Sequence, residues 1–465
     1  MSFNFKTHLE NCPTDFPVVV IGGGISGAGV FRDLSLHKVP CLLIDKYDFT
    51  SQTSQSSSKM LHGGIRYLEN FDFQLVWEAL HEKDLWLKLT PHLAYPEEFY
   101  LPVYKDSLRP LWMVKIGLFI YDLLSQFKNL PNRVTSVSKT LETFPKLRKK
   151  GLTGAGVYSD AVMDDAKITL ECIYDGLIEK ESYACNHTGL QAVVIKDDHY
   201  ILTMKDELTG LVKEIKAKHL IFTTGPFTDQ LMQQLKCFKW SPKLSLSRGS
   251  HIWIDQKSLT LKSPMVLTPK DGRVIFVIPQ EGQRILVGTT EVNGDAKFNQ
   301  TPSQEEIDYL LRNLNEFFPE ASLTENDIIS SFAGSRPLVR EPGGDKLGKV
   351  ARHHKIYQPH SNTWVLLGGK YTTFRIMARD VVSLFMRQAG ISYNSNLSLT
   401  PLRQRSITGK WNKGTNLSKE LIETIIKQEY PKTHEDLLHR RLGIIDPQEK
   451  ERVKELLSTL PELKG

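Results

Sequence analysis

Cysteine is scarce in this chain. Five residues, Cys12, Cys41, Cys172, Cys185 and Cys237, are spread over 465 positions with no CxxC pair and no metal-ligand spacing. That pattern excludes a disulfide framework, suits a reducing compartment and gives the expectation that no metal is bound. Long apolar runs are missing as well. The most hydrophobic stretch, Leu111 to Leu124, is interrupted by Lys115 and Asp122, and it is shorter than the roughly 20 apolar residues a spanning helix needs. Met1 to Pro17 carries charged and polar groups where a secretory signal would place its apolar segment, so a cytoplasmic location is expected. Blocks of one charge are absent too, because the net charge of +6 comes from basic residues scattered among 53 acidic ones. This argues against nucleic acid as a partner and leaves a basic face for anionic lipid or a phosphorylated substrate. There are no repeats and no low-complexity segments.

What is present is the balance of a globular protein, 40% hydrophobic and 24% charged, over a length that calls for two or three domains. Val18-Val19-Val20-Ile21 has the character of a buried parallel strand and runs directly into Gly22-Gly23-Gly24-Ile25-Ser26-Gly27. In that position GxGxxG has a mechanical meaning. Gly22 permits the tight turn, Gly24 lets the backbone approach a pyrophosphate, and Gly27 lets the next helix lie close to the strand. The helix then begins with free N–H groups facing the phosphates. A second apolar strand, Cys41 to Ile44, ends at Asp45, at the spacing expected of the acid that holds an unphosphorylated ribose. A dinucleotide site follows from strand, turn, helix and acid together, although the motif alone does not separate FAD from NAD.

Two further strands close on small-residue turns. Leu220 to Thr224 leads to Gly225, and Val365 to Leu367 leads to Gly368, Gly369 and Lys370 before a helical segment from about Thr373 to Gln388. Three distant strand-to-glycine turns imply one discontinuous nucleotide domain, an arrangement more usual for FAD enzymes. Between these pieces the pattern changes to hairpins: Val266-Leu267, Val274 to Ile278 and Ile285 to Val287, joined through Asp271-Gly272 and Glu281-Gly282. A helix is expected from Thr301, with Thr301 as N-cap, Pro302 at the first position and Gln304 as capping-box partner. Its face would be Ile307, Leu310, Leu311, Leu314 and Phe318. The expected fold is α/β: a discontinuous Rossmann-like FAD domain (1–90, 150–235 and 340–400), an inserted α+β antiparallel-sheet substrate domain (91–149 and 236–339), and a short helical C-terminal tail (401–465). In the tail, helices are expected from Ser418 to Gln428 and from Asp446-Pro447-Gln448-Glu449, and the tail reads as a packing appendage.

The chain resembles the FAD-linked aerobic glycerol-3-phosphate dehydrogenases, within the larger group typified by D-amino acid oxidase. Besides the glycine turn, the resemblance rests on Ser56 to Glu69, a long segment reading SSSKMLHGGIRYLE; on Tyr158-Ser159-Asp160 with Asp164-Asp165-Ala166; and on Arg248 to His251 and Gly288 to Glu291. It also rests on Arg336-Pro337-Leu338, Ala351-Arg352 and Gly368 to Arg375. It implies that Ser57, Ser58 and Lys59 lie near the flavin, and that His62, Arg66, Tyr67, His251, Arg336, Arg352, Lys370 and Thr372 surround the substrate. The residue mix suits a phosphate monoester, whose two charges match the paired donors of guanidinium groups. The implied reaction is oxidation of a carbon-2 alcohol to dihydroxyacetone phosphate with hydride transfer to flavin. Either His62 or His251 could take the hydroxyl proton, and Lys370 could instead hold the developing alkoxide.

The family implies a membrane-associated dehydrogenase that feeds a quinone. Leu108 to Leu130 offers Trp112, Ile116, Phe119, Ile120, Leu123 and Phe127 as an apolar face and Arg109, Lys115 and Lys128 as anchors to an anionic membrane surface. The same helix packed inside the substrate domain is the ordinary alternative. The C-terminal cap is shorter than in bacterial members, although Asp436 to Arg441 looks like part of it, and homo-oligomerisation is left open. The rival functions are a soluble oxidase passing electrons to oxygen, acting on the same substrate or an amino acid, and a flavin-binding partner without turnover.

Overall fold

The computed structural model describes residues 4–340, 353–403, 405–407 and 417–457. An eight-stranded sheet forms the nucleotide half. Its parallel centre runs Thr363–Gly368, Val212–Phe222, Asp15–Ile21, Cys41–Ile44 and Ser182–Cys185, with His354–His360 antiparallel at one edge. A hairpin, Thr188–Ile195 and Tyr200–Asp206, extends the sheet beside Val212–Phe222. The apolar run after Pro17 is buried on both sides because both faces of this sheet are covered. Val18 and Val20 face the helices Ile25–Leu36, Asp165–Leu177 and Phe374–Gln388. Val19 and Ile21 face a second core built with Leu202, Met204 and Met232.

A ten-stranded sheet forms the other half. The expected meander is there: Met265–Leu267, Ile275–Gln280 and Arg284–Gly288 pair antiparallel in sequence order, with Gly272 and Gly282 in left-handed backbone at the turns. One face packs on the helix Gln304–Phe317 through Leu310, Leu311, Leu314 and Phe317. The opposite face meets the helices Phe73–Leu89 and Leu111–Leu124 through Val76, Leu80, Leu118 and Tyr121.

Several expectations need correction. Leu152–Met163 falls in the segment 150–235 assigned above to the nucleotide domain, but it pairs along its length with Ala94–Tyr104 and also with Met60–Leu61. Both short and long segments therefore belong to the second sheet, since strand pairing and not chain order assigns them. The helix after Thr301 starts later, with Ser303 as N-cap and Glu306 as capping-box partner. Glu306 Oε2 accepts from Ser303 N at 3.0 Å; its ionised carboxylate outcompetes the Gln304 amide for that role. The tail helices are Lys419–Glu429, capped by Ser418, and Pro447–Leu457. They enclose a small separate core around Ile422, Leu437 and Leu442.

Candidate active site

The three glycine turns converge. Gly22, Gly24, Gly225, Gly368 and Gly369 all line one cavity of about 870 Å³ that runs between the two sheets. At Gly22, φ is +107° and an added Cβ would lie 2.6 Å from Thr223 O, so the turn and the neighbouring strand end demand glycine. Gly27 does not line the cavity; a Cβ there would sit 1.8 Å from Gly22 O, which is the close helix–strand packing expected of the third glycine. Asp45 follows the strand Cys41–Ile44 and lines the same end of the cavity. Its carboxylate accepts from Gly23 N at 2.7 Å and from Tyr47 N at 2.9 Å. Burial pushes its carboxyl up to about 6 against the pull of those amides. A pyrophosphate needs close backbone approach and a ribose needs a fixed carboxylate, and these residues fit both demands of FAD.

Ser57 and Ser58 line the cavity where it passes between the sheets. Ser57 Oγ donates to Asp165 Oδ2 at 2.6 Å. Lys59 does not line the cavity: its ammonium donates to Asp165 Oδ1 at 2.5 Å and to Gln55 O at 2.8 Å, which makes it a tie behind the serines. His251 is also set back. It is buried, stacked on Phe332 with ring centroids 4.9 Å apart, and its Nε2 lies 2.9 Å from Ser58 Oγ. Burial first, then the charges of Arg336 and Lys59, hold its imidazole well below its ordinary range.

The remaining expected residues gather at the far end. His62, Arg66, Tyr67, Arg336, Lys370 and Thr372 all line the cavity. Lys370 Nζ lies over the Tyr67 ring, 3.9 Å from its centroid. His62 N donates to Thr372 Oγ1 at 3.3 Å, so the histidine segment is tied to the turn that carries Lys370. Arg336 Nη2 donates to Thr289 Oγ1 at 2.8 Å. Arg352 lies outside the described residues.

Sequence reading assigned no role to three supports of this site. Tyr121 Oη donates to Asp160 Oδ1 at 2.8 Å and receives Gly63 N at 2.9 Å, which anchors the backbone beside His62. Glu306 accepts from Thr290 Oγ1 at 2.6 Å, Ser250 Oγ at 2.8 Å and Arg248 Nη2 at 2.7 Å. It thereby fixes the turn that presents Thr289 to Arg336, and an acid three residues after a serine at a helix start was the available signal. Asp48 joins the nucleotide turn to Arg440 and Arg441, for which the sequence holds no local signal.

The family model described as FAD dependent oxidoreductase matches residues 17–384. The aerobic glycerol-3-phosphate dehydrogenase of Staphylococcus aureus (strain USA300) is 34% identical over 411 residues, covering 87% of this chain and 73% of that protein. Among solved structures, the glycerol-3-phosphate dehydrogenase from Bacillus halodurans complexed with FAD superposes with a TM-score of 0.76 at 24% identity, over 96% of this chain and 90% of that one. L-alpha-glycerophosphate oxidase from Mycoplasma pneumoniae with FAD bound gives 0.62 at 19% identity, over 80% and 94%. At those identities the structural likeness establishes the fold.

Proposed function

The chain belongs to the FAD dependent oxidoreductase family, within it to the aerobic glycerol-3-phosphate dehydrogenases, and from that premise we propose that it oxidises glycerol-3-phosphate to dihydroxyacetone phosphate and passes the electrons to a quinone. FAD is the cofactor of this family fold. The single observation that carries the reading is the shared cavity: a glycine-turn cradle ending at Asp45 continues, past Ser57 and Ser58, into a chamber holding His62, Arg66, Arg336 and Lys370.

In this reading the Gly22–Gly24 turn takes the pyrophosphate and Asp45 takes ribose hydroxyls of the adenosine end. Arg336 and Arg66, with Arg352 by resemblance, clamp the substrate phosphate with planar paired donors. FAD, when bound, supplies the two-electron acceptor for the hydrogen on carbon 2. His62 accepts the proton of the carbon-2 hydroxyl, and Lys370 holds the oxygen as negative charge develops there. Thr372 fixes the His62 backbone. His251 positions Ser58 and is not the base, because a fully buried imidazole with two cations nearby is a poor proton acceptor.

Support for a membrane-surface location comes from the helix Leu111–Leu124 and its continuation. Trp112, Ile116, Phe119, Leu123 and Phe127 are between 52% and 62% exposed, so this face is not packed inside the protein. Phe71, Phe73 and Trp77 are exposed as well. An apolar face of that kind is unusual on a monomeric soluble protein. Ile120 is half-buried and lines the cavity, and Ile116, although exposed, lines its mouth as well; Arg109 is engaged by Glu69, which leaves Lys115 and Lys128 as exposed anchors. No helix among the described residues is long and apolar enough to cross a membrane. The test compares anaerobic quinone reduction with aerobic peroxide formation while liposome binding is measured at low and high salt. Quinone reduction with binding to anionic liposomes is expected; rapid peroxide formation with neither would replace this reading with a soluble oxidase.

A further inference from the structure

Between the nucleotide turn and the C-terminal helices lies a buried cluster that the chemistry above does not use. Asp48 sits three residues after Asp45 and is fully enclosed. Arg440 Nε donates to its Oδ2 at 2.5 Å, and Arg441 donates to both of its oxygens. Asn186 Nδ2 donates to Asp48 Oδ1 at 2.7 Å. Arg440 Nη2 also donates to Asp436 Oδ1 at 2.7 Å, and Asp436 Oδ2 lies 2.9 Å from His187 Nε2. Asp48, His187 and Asp436 could be mistaken for a cation site, but two guanidinium groups already neutralise the two carboxylates.

The cluster holds the loop that shapes the cofactor cradle. His187 N donates to Tyr47 O at 2.8 Å and Thr188 N to Asp45 O at 2.6 Å. Thr50 N donates to Gly23 O at 3.1 Å. The loop 45–50 is thus fastened to the glycine turn on one side and to the tail on the other, directly through Asp48 and indirectly through His187, which bonds Asp436. Arg440 and Arg441 lie beyond the residues 17–384 matched by the family model. We propose that Arg440 and Arg441 are positioning residues that hold the Asp45–Thr50 loop in its cofactor-binding shape, which couples docking of the C-terminal segment to retention of FAD.

The physical basis is that a buried carboxylate stripped of its cation is costly to keep buried, so loss of an arginine drives Asp48 toward water and takes the loop with it. A protein whose binding shape is populated for only a fraction of the time binds with an apparent Kd raised by the inverse of that fraction. The coupling is reciprocal, so FAD must stabilise the docked tail by the same factor with which the tail strengthens FAD binding. The inference rests on the reading that Asp45 serves the adenosine end of FAD.

Two experiments test it. In the unaltered protein, hydrogen exchange of residues 432–446 is followed with and without added FAD; exchange is expected to slow about tenfold or more when FAD binds. In Arg441→Gln and Arg440→Gln, the Kd for FAD is expected to rise about tenfold or more, with excess FAD restoring turnover and the KM for glycerol-3-phosphate unmoved. If Arg441→Gln does not fold, Arg440→Gln and the exchange measurement decide. Folded variants with unchanged FAD affinity, or an exchange rate indifferent to FAD, overturn the proposal while leaving the cofactor assignment intact. Unchanged FAD affinity in Asp45→Asn would overturn the underlying reading, and the proposal would fall with it.

Discussion

Arg336 donates to the Thr289 hydroxyl at 2.8 Å, and that contact sets the direction of the guanidinium toward the chamber it shares with His62 and Lys370. The guanidinium lines that chamber, and its planar fork matches an anionic group. Arg336→Lys keeps the charge and loses the planar fork. We expect kcat/KM for glycerol-3-phosphate to fall by about 10- to 150-fold, the equivalent of roughly 1.5–3 kcal/mol for a charged hydrogen bond. FAD affinity is expected to change little. Steady-state kinetics beside a flavin titration checks both, and an unchanged kcat/KM would make Arg336 a purely structural residue.

Glu306 supports the same arginine from a distance. Burial would raise its carboxyl, but hydrogen bonds from Ser303 N, the Thr290 and Ser250 hydroxyls, and the Arg248 charge hold it below its ordinary value. A depressed carboxyl contributes stability that is present above its unfolded pKa and lost as pH falls through the folded one. Glu306→Gln should therefore lower the unfolding midpoint most at neutral pH, with the difference from wild type shrinking below about pH 4. The KM for glycerol-3-phosphate should rise several-fold as Thr289 loosens. Midpoints that differ equally at pH 4 and pH 7 would contradict this.

Asp45 behaves in the opposite sense. Its carboxyl is lifted to about 6, above the roughly 3.9 of an unfolded aspartate. Its contribution to apoprotein stability is therefore complete below about pH 4 and lost as pH rises through about 6. Asp45→Asn should show a flatter stability profile across that window, so that the difference between the two proteins moves in the variant's favour with rising pH. The same variant should bind FAD more weakly. Parallel profiles for the two apoproteins would show that this carboxyl is not the buried group described.

Phe119 is exposed and does not line the cavity, so charging it should leave the fold nearly untouched. Burying such a side chain in lipid is worth about 1.5–3 kcal/mol. Phe119→Glu is therefore expected to weaken binding to anionic liposomes by tenfold or more without changing glycerol-3-phosphate oxidation by a soluble dye. Sedimentation with liposomes measures it, and undiminished binding would move the contact surface elsewhere.

The cofactor half was legible because its cues are local. Val18 to Gly27 and Asp45 form a continuous strand, turn and acid whose spacing is set by one βα unit, and the hairpins around Gly272 and Gly282 are likewise local. Long-range pairing was harder. Leu152–Met163 sits next to the nucleotide segments in sequence, yet its partner is Ala94–Tyr104, and no periodicity reveals which of two sheets a strand joins. Burial also separates residues that look alike in sequence. His62 and His251 are both histidines beside site motifs, but one lines the cavity and the other lies behind Ser58. The Ser303–Glu306 cap was missed by two positions because Thr301-Pro302 offers the same local chemistry. Arg440 and Arg441 stand in the segment Asp436 to Arg441 that reads as part of the cap, but their partner, Asp48, lies nearly 400 residues earlier and only the fold brings them together.

In the proposed reading, one cavity binds FAD at its glycine-turn end and oxidises glycerol-3-phosphate at its arginine end. The anaerobic absorption spectrum of the purified protein, recorded before and after adding glycerol-3-phosphate, tests both halves at once. An oxidised flavin spectrum that bleaches on addition of substrate, releases its flavin on denaturation and yields dihydroxyacetone phosphate is the predicted result. A flavin spectrum untouched by glycerol-3-phosphate, or a protein that binds NAD and no flavin after reconstitution, would contradict the account.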